Sequence, residues 1–192
     1  MGVGYKLFKV KASQKGKLFP LYVLADKETP MGVWLKAEEG TKSSDGSHVK
    51  SKLGDLCYRP GWHLSDYPLA THIGKKDADG NIYGIHKDEV WCEVEYSDEI
   101  NYQIEANENG RNRNDIIIQK NAYLKHIPEN GFYRYKTNPN MFGNWIIAGA
   151  IKVNRVLTDK EVNEILLNNE LTLMPREGGV FDSKKYGRII YE

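Results

Sequence analysis

The sequence predicts an α+β fold made mostly of antiparallel sheet with short helices. Short segments that alternate apolar and polar residues outnumber segments with helical periodicity. Irregular loops separate them, and strands do not alternate regularly with helices, which argues against a doubly wound parallel sheet. Because 192 residues are enough to bury a core, we expect a single domain, with a main body over about residues 5–157 and a C-terminal helix and tail over 158–192.

The first third of the chain has the signals of strands. Tyr5–Val10 alternates, and after a polar turn Phe19–Ala25 follows, which predicts two paired strands. Met31–Lys36 is a candidate third strand, whereas Glu38–Ser47, rich in glycine, serine and charge, predicts an exposed loop.

A helix is predicted from Ser65 to Gly74. The serine hydroxyl can cap free N–H groups, Pro68 is tolerated in a first turn, and Gly74 can end the helix in a left-handed conformation.

Later segments alternate between strands and helices. Val90–Tyr96 alternates cleanly, Asp98–Asn109 predicts a polar helix, and Phe132–Lys136 predicts another strand. Trp145–Val153 predicts one long buried strand, and a last short strand is expected over Arg188–Tyr191.

The clearest helix is Thr158–Asn169. Thr158 and Glu161 have the spacing of a capping box, and Val162, Ile165 and Leu166 share one helical face.

Composition narrows the function class. No run approaches the roughly 18 apolar residues of a membrane span, and the N-terminus has no apolar signal core, so we expect a cytoplasmic protein without membrane contact. A formal charge of +1 gives no global signal for nucleic-acid binding. Cys57 and Cys92 are expected to be core residues, although a disulfide between them stays possible.

Common catalytic and metal-binding motifs are absent from the sequence. The five histidines and two cysteines show no HExxH, CxxC or HxH spacing, so no metal site is predicted. There is also no G-x-S-x-G elbow, P-loop or dinucleotide fingerprint.

The segment Tyr58–Gly74 is dense in functional side chains. Arg59 offers a planar fork for phosphate or carboxylate, and in the functional interpretation His63 could titrate near neutral pH. At the start of the predicted helix, Ser65 and Asp66 would lie beside N–H groups that attract an anion, and His72 would lie two turns further on the same face. The alternative is structural: a strand running into a capped helix, with His63 half-buried.

Phe132–Trp145 is the second dense segment. Alternation places Tyr133 and Tyr135 on one face, which would belong to the core, and Arg134 and Lys136 on the other, which would form a charged binding surface. A purely structural role for this strand and the asparagine-rich turn after it is the alternative.

Two segments together resemble ADP-ribosyltransferase-like domains. Residues 61–70 (GWHLSDYPLA) resemble the strand-to-helix element whose serine lines the NAD pocket in that family, which here is Ser65. Residues 144–151 (NWIIAGAI) resemble the family's late strand, and Val90–Tyr96 falls between the two. The chain also resembles domains of large phage and mobile-element proteins through RPGWH, LATHIG and RYKTNPN.

The resemblance implies a fold, a ligand and two alternative functions. Asn144 stands where the family has its catalytic glutamate, and a neutral amide cannot supply that charge. The first expectation is therefore a divergent domain, acting as a phage or mobile-element accessory or inhibitor, that binds a protein or nucleic-acid partner. The alternative is an active NAD-dependent transferase or NAD glycohydrolase with a non-standard catalytic residue.

The same resemblance assigns roles to individual residues. In the enzymatic alternative, NAD would be the cofactor and His63, Ser65 and Asn144 would be the catalytic set, with Glu93 or Glu95 as a replacement carboxylate. The ligand-binding residues would be Arg59, Asp66, His72, Tyr133, Arg134, Tyr135 and Lys136.

Overall fold

Strands dominate the protein, as the alternating segments predict. The computed structural model describes residues 1–70, 85–112, 120–137 and 142–171. Within them, the strands are β1 (Gly2–Lys11), β2 (Gln14–Phe19), β3 (Trp34–Lys36), β4 (His48–Ser51), β5 (Gly54–Cys57), β6 (Trp62–Ser65), β7 (Glu89–Tyr96), β8 (Ile100–Asn101), β9 (Arg111–Asn112), β10 (Lys120–Asn121), β11 (Gly131–Tyr135), β12 (Trp145–Ala148) and β13 (Ala150–Val156). The helices are α1 (Gln103–Glu108) and α2 (Asp159–Asn168).

Most of these strands form one nine-stranded sheet. Its order is β3-β13-β7-β1-β6-β12-β11-β8, and β2 pairs with β1 beside that path. The pairs in this sheet are antiparallel, apart from the parallel pair of β8 and β11. The expectation of an α+β fold with mostly antiparallel strands is confirmed.

The sheet consists of two halves that meet at one point. Strand β1 pairs with β7 along its length, from Gly2 to Lys9. On its other edge it pairs with β6 only at Tyr5 and Ser65, and further along it pairs with β2. Strands β3, β13, β7, β1 and β2 therefore form the first half, and β6, β12, β11 and β8 form the second half.

The chain passes from the second half to the first at Gly149. The sequence predicts one strand over Trp145–Val153, which is wrong, because β12 pairs with β6 and β11 whereas β13 pairs with β7 and β3. At the crossing, the Gly149 N–H donates to the carbonyl of Gly131 at 2.9 Å. A Cβ at Gly149 would overlap the main chain of Pro128, so no larger residue fits without movement.

Both faces of the sheet are covered by apolar side chains. Because side chains alternate along a strand, Leu7 and Phe8 belong to different clusters. On one face, α2 contributes Val162 and Leu166 to a cluster that also holds Leu7, Leu21, Trp91, Trp145 and Leu157. The other face holds Phe8, Leu64, Cys92, Ile146 and Phe132, among others.

The helix α2 begins as predicted. The Thr158 hydroxyl accepts from the N–H of Glu161, and the Glu161 carboxylate accepts from the N–H of Thr158, so the capping box is confirmed. The strands expected at Val90–Tyr96 and Phe132–Lys136 are also confirmed as β7 and β11. None of the helices in the described ranges has the length and apolar character to cross a bilayer.

Other boundary predictions are wrong for tertiary reasons. Ser65 is the last residue of β6 and pairs with Tyr5 and Trp145, so it does not begin a helix, and residues 66–70 are not helical. The rest of that predicted helix, with His72, and the strand at 188–191 lie outside the described residues.

Two more segments differ from their predicted form. Strand β2 ends at Phe19, so the strand predicted over Phe19–Ala25 is wrong. The apolar residues Leu21 and Ala25 are buried, but they lie in bends and turns. The helix expected over Asp98–Asn109 is confined to Gln103–Glu108, because the residues before it form β8 beside β11.

Candidate functional site

A cavity of about 540 Å³ lies where the two halves of the sheet separate. Tyr5 and Leu7 of β1 line it, together with Trp62 and His63 of β6. Residues 20–24, 34–40 and 56–61 complete much of the wall. The volume lies within the roughly 300–1,000 Å³ that is usual for small-molecule sites.

Aromatic rings form a large part of the cavity wall. Trp62 is fixed because its indole N–H donates to the carbonyl of Leu35 at 3.0 Å. Trp91 is only 2% exposed, and its indole N–H has no hydrogen-bond partner among the described residues. A buried donor without an acceptor is costly. The lining rings are Tyr5, Tyr22, Trp34, Tyr58, Trp62, Trp91, Tyr135 and Trp145.

Lys6 brings an amine to the point where the halves separate. Its Nζ crosses the gap from β1 to β6 and donates to the main-chain carbonyl of His63 at 2.9 Å. The same nitrogen lies 5.5 Å from the ring centre of Phe8 and 5.4 Å from that of Trp62. Burial lowers the pKa of Lys6 to about 8, because no described carboxylate stabilises its charge.

His63 is a neutral histidine. Its Nε2 lies 3.0 Å from the main-chain carbonyl of Arg59, and a carbonyl only accepts, so Nε2 carries the proton. Burial lowers the pKa of the ring to about 4, and the charges of Lys6 and Arg59 act in the same direction. The expectation that His63 titrates near neutral pH is wrong, since desolvation outweighs the hydrogen bond that favours the charged form.

Arg59 brings a second cation to the cavity. Its Nη1 donates to the carbonyl of Ala122 and lies 3.3 Å from the hydroxyl of Tyr133. The guanidinium also lies 4.0 Å from the ring centre of Tyr135, in cation–π contact. These contacts hold the guanidinium in place without neutralising it.

The other charged residues of the wall are paired. The carboxylates of Glu28, Glu38 and Glu39 lie next to Lys17, Lys27 and Lys42, and Lys36 pairs with Glu129. Lys6 and Arg59 have no carboxylate partner among the described residues. As far as the described part of the chain goes, the cavity therefore carries two cations without a carboxylate partner beside a largely aromatic wall.

A second polar cluster surrounds Asp66. One oxygen of this carboxylate accepts from the main-chain N–H of Asn144 at 2.8 Å and from its side-chain amide at 2.9 Å. The other oxygen lies 3.6 Å from the guanidinium of Arg134, which also donates to the hydroxyl of Tyr96 at 2.8 Å. These bonds tie the end of β6 to β11, β12 and β7.

The structure divides the predicted site residues between these two places. Arg59, His63 and Tyr135 line the cavity, whereas Tyr133 is fully buried beneath Arg59. Asp66, Arg134 and Asn144 belong to the second cluster, and Lys136 does not line the cavity. His72 lies outside the described residues.

The side chains of Ser65 and Arg134 are already engaged in hydrogen bonds or ion pairs within the protein. Ser65 is 2% exposed, and its hydroxyl donates to the main-chain carbonyl of Tyr67 at 2.5 Å and lies 3.3 Å from that of Tyr5 on the other half of the sheet. The guanidinium of Arg134 is engaged by Asp66 and Tyr96, although its side chain is still 36% exposed, so its place on a charged binding surface stays a prediction.

Sequence reasoning missed Lys6, Tyr22 and Trp62. Lys6 has the pattern of a solvent-facing residue in an alternating strand, and only the separation of β6 from β1 encloses it. Tyr22 lies in a segment predicted as a strand. No spacing rule connects these positions, so nothing in the sequence marks them as one site.

The described residues contain no cluster of three or more histidine, cysteine or acidic side chains that would bind a metal. Both thiols are free. The expectation that both cysteines are core residues is confirmed for Cys92, which is buried, and wrong for Cys57, which is exposed. Burial raises the pKa of the Cys92 thiol, so this group is uncharged.

Comparison with known proteins gives no relative: no protein-family model, curated protein or solved structure matches this chain significantly. Fold and site together define a mostly antiparallel α+β protein with an aromatic, cationic cavity between two sheet halves. The resemblance to ADP-ribosyltransferase-like domains stays a prediction, as does the single-domain organisation.

Proposed function

We propose that this protein binds, without catalysing its conversion, a flat aromatic ligand that carries an anionic group, of the nucleotide class, in the cavity between the sheet halves. The observation that carries the proposal is the pair of cations, Lys6 and Arg59, which line an aromatic cavity and have no carboxylate partner within residues 1–70, 85–112, 120–137 and 142–171. An anionic group of a ligand would neutralise both, and a flat ring would stack on the aromatic wall.

Two further features support a ligand with hydrogen-bond acceptors. The indole N–H of Trp91 has no acceptor among the described residues, although the side chain is buried at the cavity. The resemblance to ADP-ribosyltransferase-like domains favours the same ligand class, because those domains bind NAD. NAD, ADP-ribose and AMP are therefore the first ligands to test.

Binding without turnover is favoured by the state of the polar side chains. Ser65 and Asn144 are occupied in bonds that join strands. The cavity carboxylates Glu28, Glu38 and Glu39 are held by lysines, so none is placed as a free base or nucleophile. The phage or mobile-element role with a protein or nucleic-acid partner stays a prediction of the resemblance.

Calorimetric titration tests the proposal. AMP, ADP-ribose or NAD should bind, and adenosine, which lacks the phosphate, should bind at least about tenfold more weakly because it cannot pair with the cations. Failure of all three anionic ligands to bind at millimolar concentration would overturn the proposal. Release of nicotinamide from NAD by the purified protein would overturn its non-catalytic part.

A matched pair of variants locates the site. Lys6→Met should weaken AMP binding about thirtyfold or more, because truncating one partner of a desolvated charge pair costs at least about 2 kcal/mol. Lys27→Met makes the same change of charge at a cavity lysine that is already paired with Glu38, and it should change binding by less than about threefold. Equal losses in the two variants would contradict the assignment to Lys6.

A further inference from the structure

Lys6 differs from the other lysines of the cavity in its surroundings. Lys27 and Lys36 each form an ion pair with a glutamate, and both are more than half exposed. The Lys6 amine lies 5.5 Å from the ring centre of Phe8 and 5.4 Å from that of Trp62, and among the described residues its hydrogen-bond partner is a main-chain carbonyl. Desolvation in this environment lowers the pKa of Lys6.

The groups that face Lys6 do not restore its charge. From β7, Cys92 is its cross-strand partner, and burial keeps that thiol uncharged. From β6, the ring of His63 is neutral at physiological pH because burial lowers its pKa. The charge of the Arg59 guanidinium also lowers the pKa of the His63 ring.

The consequence is a large population of neutral amine. With a pKa of about 8, about one Lys6 in ten is neutral at pH 7, against about one in three thousand for a lysine with the ordinary pKa of 10.5. A neutral lysine amine in an apolar pocket is a nucleophile towards carbonyl carbon. Lys6 is one of the residues that line the cavity, and the cavity is large enough for a ring-sized ligand.

We propose that Lys6 is a covalent binding site, whose amine forms a reversible imine with the aldehyde group of a ligand held in the cavity. The lone pair of Nζ forms a bond to the aldehyde carbon, and the carbonyl oxygen becomes a hydroxyl as one amine proton is transferred to it. The nitrogen then gives up its second proton and forms the C=N double bond, while the C–O bond breaks and the oxygen leaves as water with both protons. No electrons are gained or lost, so no oxidant or reductant is needed. The inference rests on the proposed function for the ring and the anionic group that hold the ligand beside Lys6.

Pyridoxal 5′-phosphate is a suitable probe, because it combines a flat ring, a phosphate and an aldehyde. The full chain is incubated with it at about pH 7.5, the imine is reduced with borohydride, and the labelled lysines are identified by peptide mass spectrometry. Lys6 should be labelled at least about ten times faster than Lys27 or Lys36, since its neutral fraction is larger. The rate at Lys6 should rise with pH and level off above about pH 8.

Because the labelling rates of Lys6, Lys27 and Lys36 are compared within the wild-type protein, the test does not depend on whether a variant folds. Labelling of Lys6 no faster than of Lys27 and Lys36 would overturn the imine proposal, even if AMP binds in the calorimeter. Lys6→Arg keeps a positive charge but removes the nucleophile, so it should abolish the fast label, whereas Lys27→Arg should keep it. A fast label that survives in a folded Lys6→Arg protein would also overturn the proposal.

Pyridoxal without the phosphate separates this inference from the proposed function. Slower labelling of Lys6 by pyridoxal, and protection of Lys6 by AMP, would support both. Fast labelling by pyridoxal, unaffected by AMP, would support the reactive amine and overturn the anionic ligand.

Discussion

Acid is expected to destabilise this protein through the half-buried ring of His63. The folded protein binds a proton at this ring with a pKa of about 4, whereas the unfolded chain does so with the ordinary value of 6.5. Between these two values the unfolded state holds more protons, so the free energy of unfolding decreases as the pH falls. Each pKa unit corresponds to about 1.4 kcal/mol, which gives a loss of about 3 kcal/mol at most between pH 7 and pH 4.

The variant His63→Gln isolates this effect. A glutamine amide can donate to the carbonyl of Arg59, as Nε2 of His63 does, but it does not titrate. Urea unfolding, followed by the fluorescence of the four tryptophans, gives the free energy of unfolding at several pH values. The stability of wild type relative to the variant should fall by about 3 kcal/mol from about pH 7 to about pH 4.

His126→Gln is the matched control, because that histidine is exposed. It should leave the pH dependence of the wild type almost unchanged. If wild type and His63→Gln lost stability in parallel between pH 7 and pH 4, the ring of His63 would not be kept neutral by the fold, and the reasoning about this end of the cavity would be refuted.

Asp66→Ala should lower the free energy of unfolding by about 3 kcal/mol, because it leaves a partly buried amide and a guanidinium without their acceptor. Asp55→Ala, at an exposed position of β5, should lower the free energy of unfolding by less than about 0.5 kcal/mol. If urea unfolding gave equal losses for Asp66→Ala and Asp55→Ala, the structural role of the cluster around Asp66 would be contradicted. Gly149→Ala should lower the same free energy by about 2 kcal/mol or more, because the new Cβ overlaps the main chain of Pro128. Gly4→Ala, whose Cβ would have its nearest neighbour at 3.4 Å, should lower the free energy of unfolding much less. An unchanged free energy of unfolding in Gly149→Ala would contradict the close approach of Pro128 to Gly149.

Local patterns were enough to predict several elements. The spacing of Thr158 and Glu161 predicts the start of α2, because a capping box needs only residues three apart in sequence. Strict alternation predicts β7, and the same pattern predicts that strands dominate the fold. These features depend on neighbours in the chain, which the sequence lists directly.

At other positions, pairing between strands that are distant in sequence gave a structure that differs from the one predicted by the local sequence. Ser65 has the sequence context of a helix cap, but its pairing with Tyr5 and Trp145 makes it the end of a strand. Continuous apolar character predicts one strand through Gly149, although the close approach of Pro128 divides it into two. In each case the deciding contact is distant in sequence, so no window of residues contains it.

In the candidate site, too, some features could be predicted from the sequence and others depend on the tertiary structure. By itself, the sequence determined the mostly antiparallel α+β architecture and pointed to the segment that contains Arg59 and His63. Only the tertiary structure decided that β6 leaves β1 after a single pair, which opens the cavity and encloses Lys6 between apolar rings. The reason is physical: the charge state of an amine depends on its solvation and on the charges near it, and here a carbonyl 57 positions away along the chain is its hydrogen-bond partner.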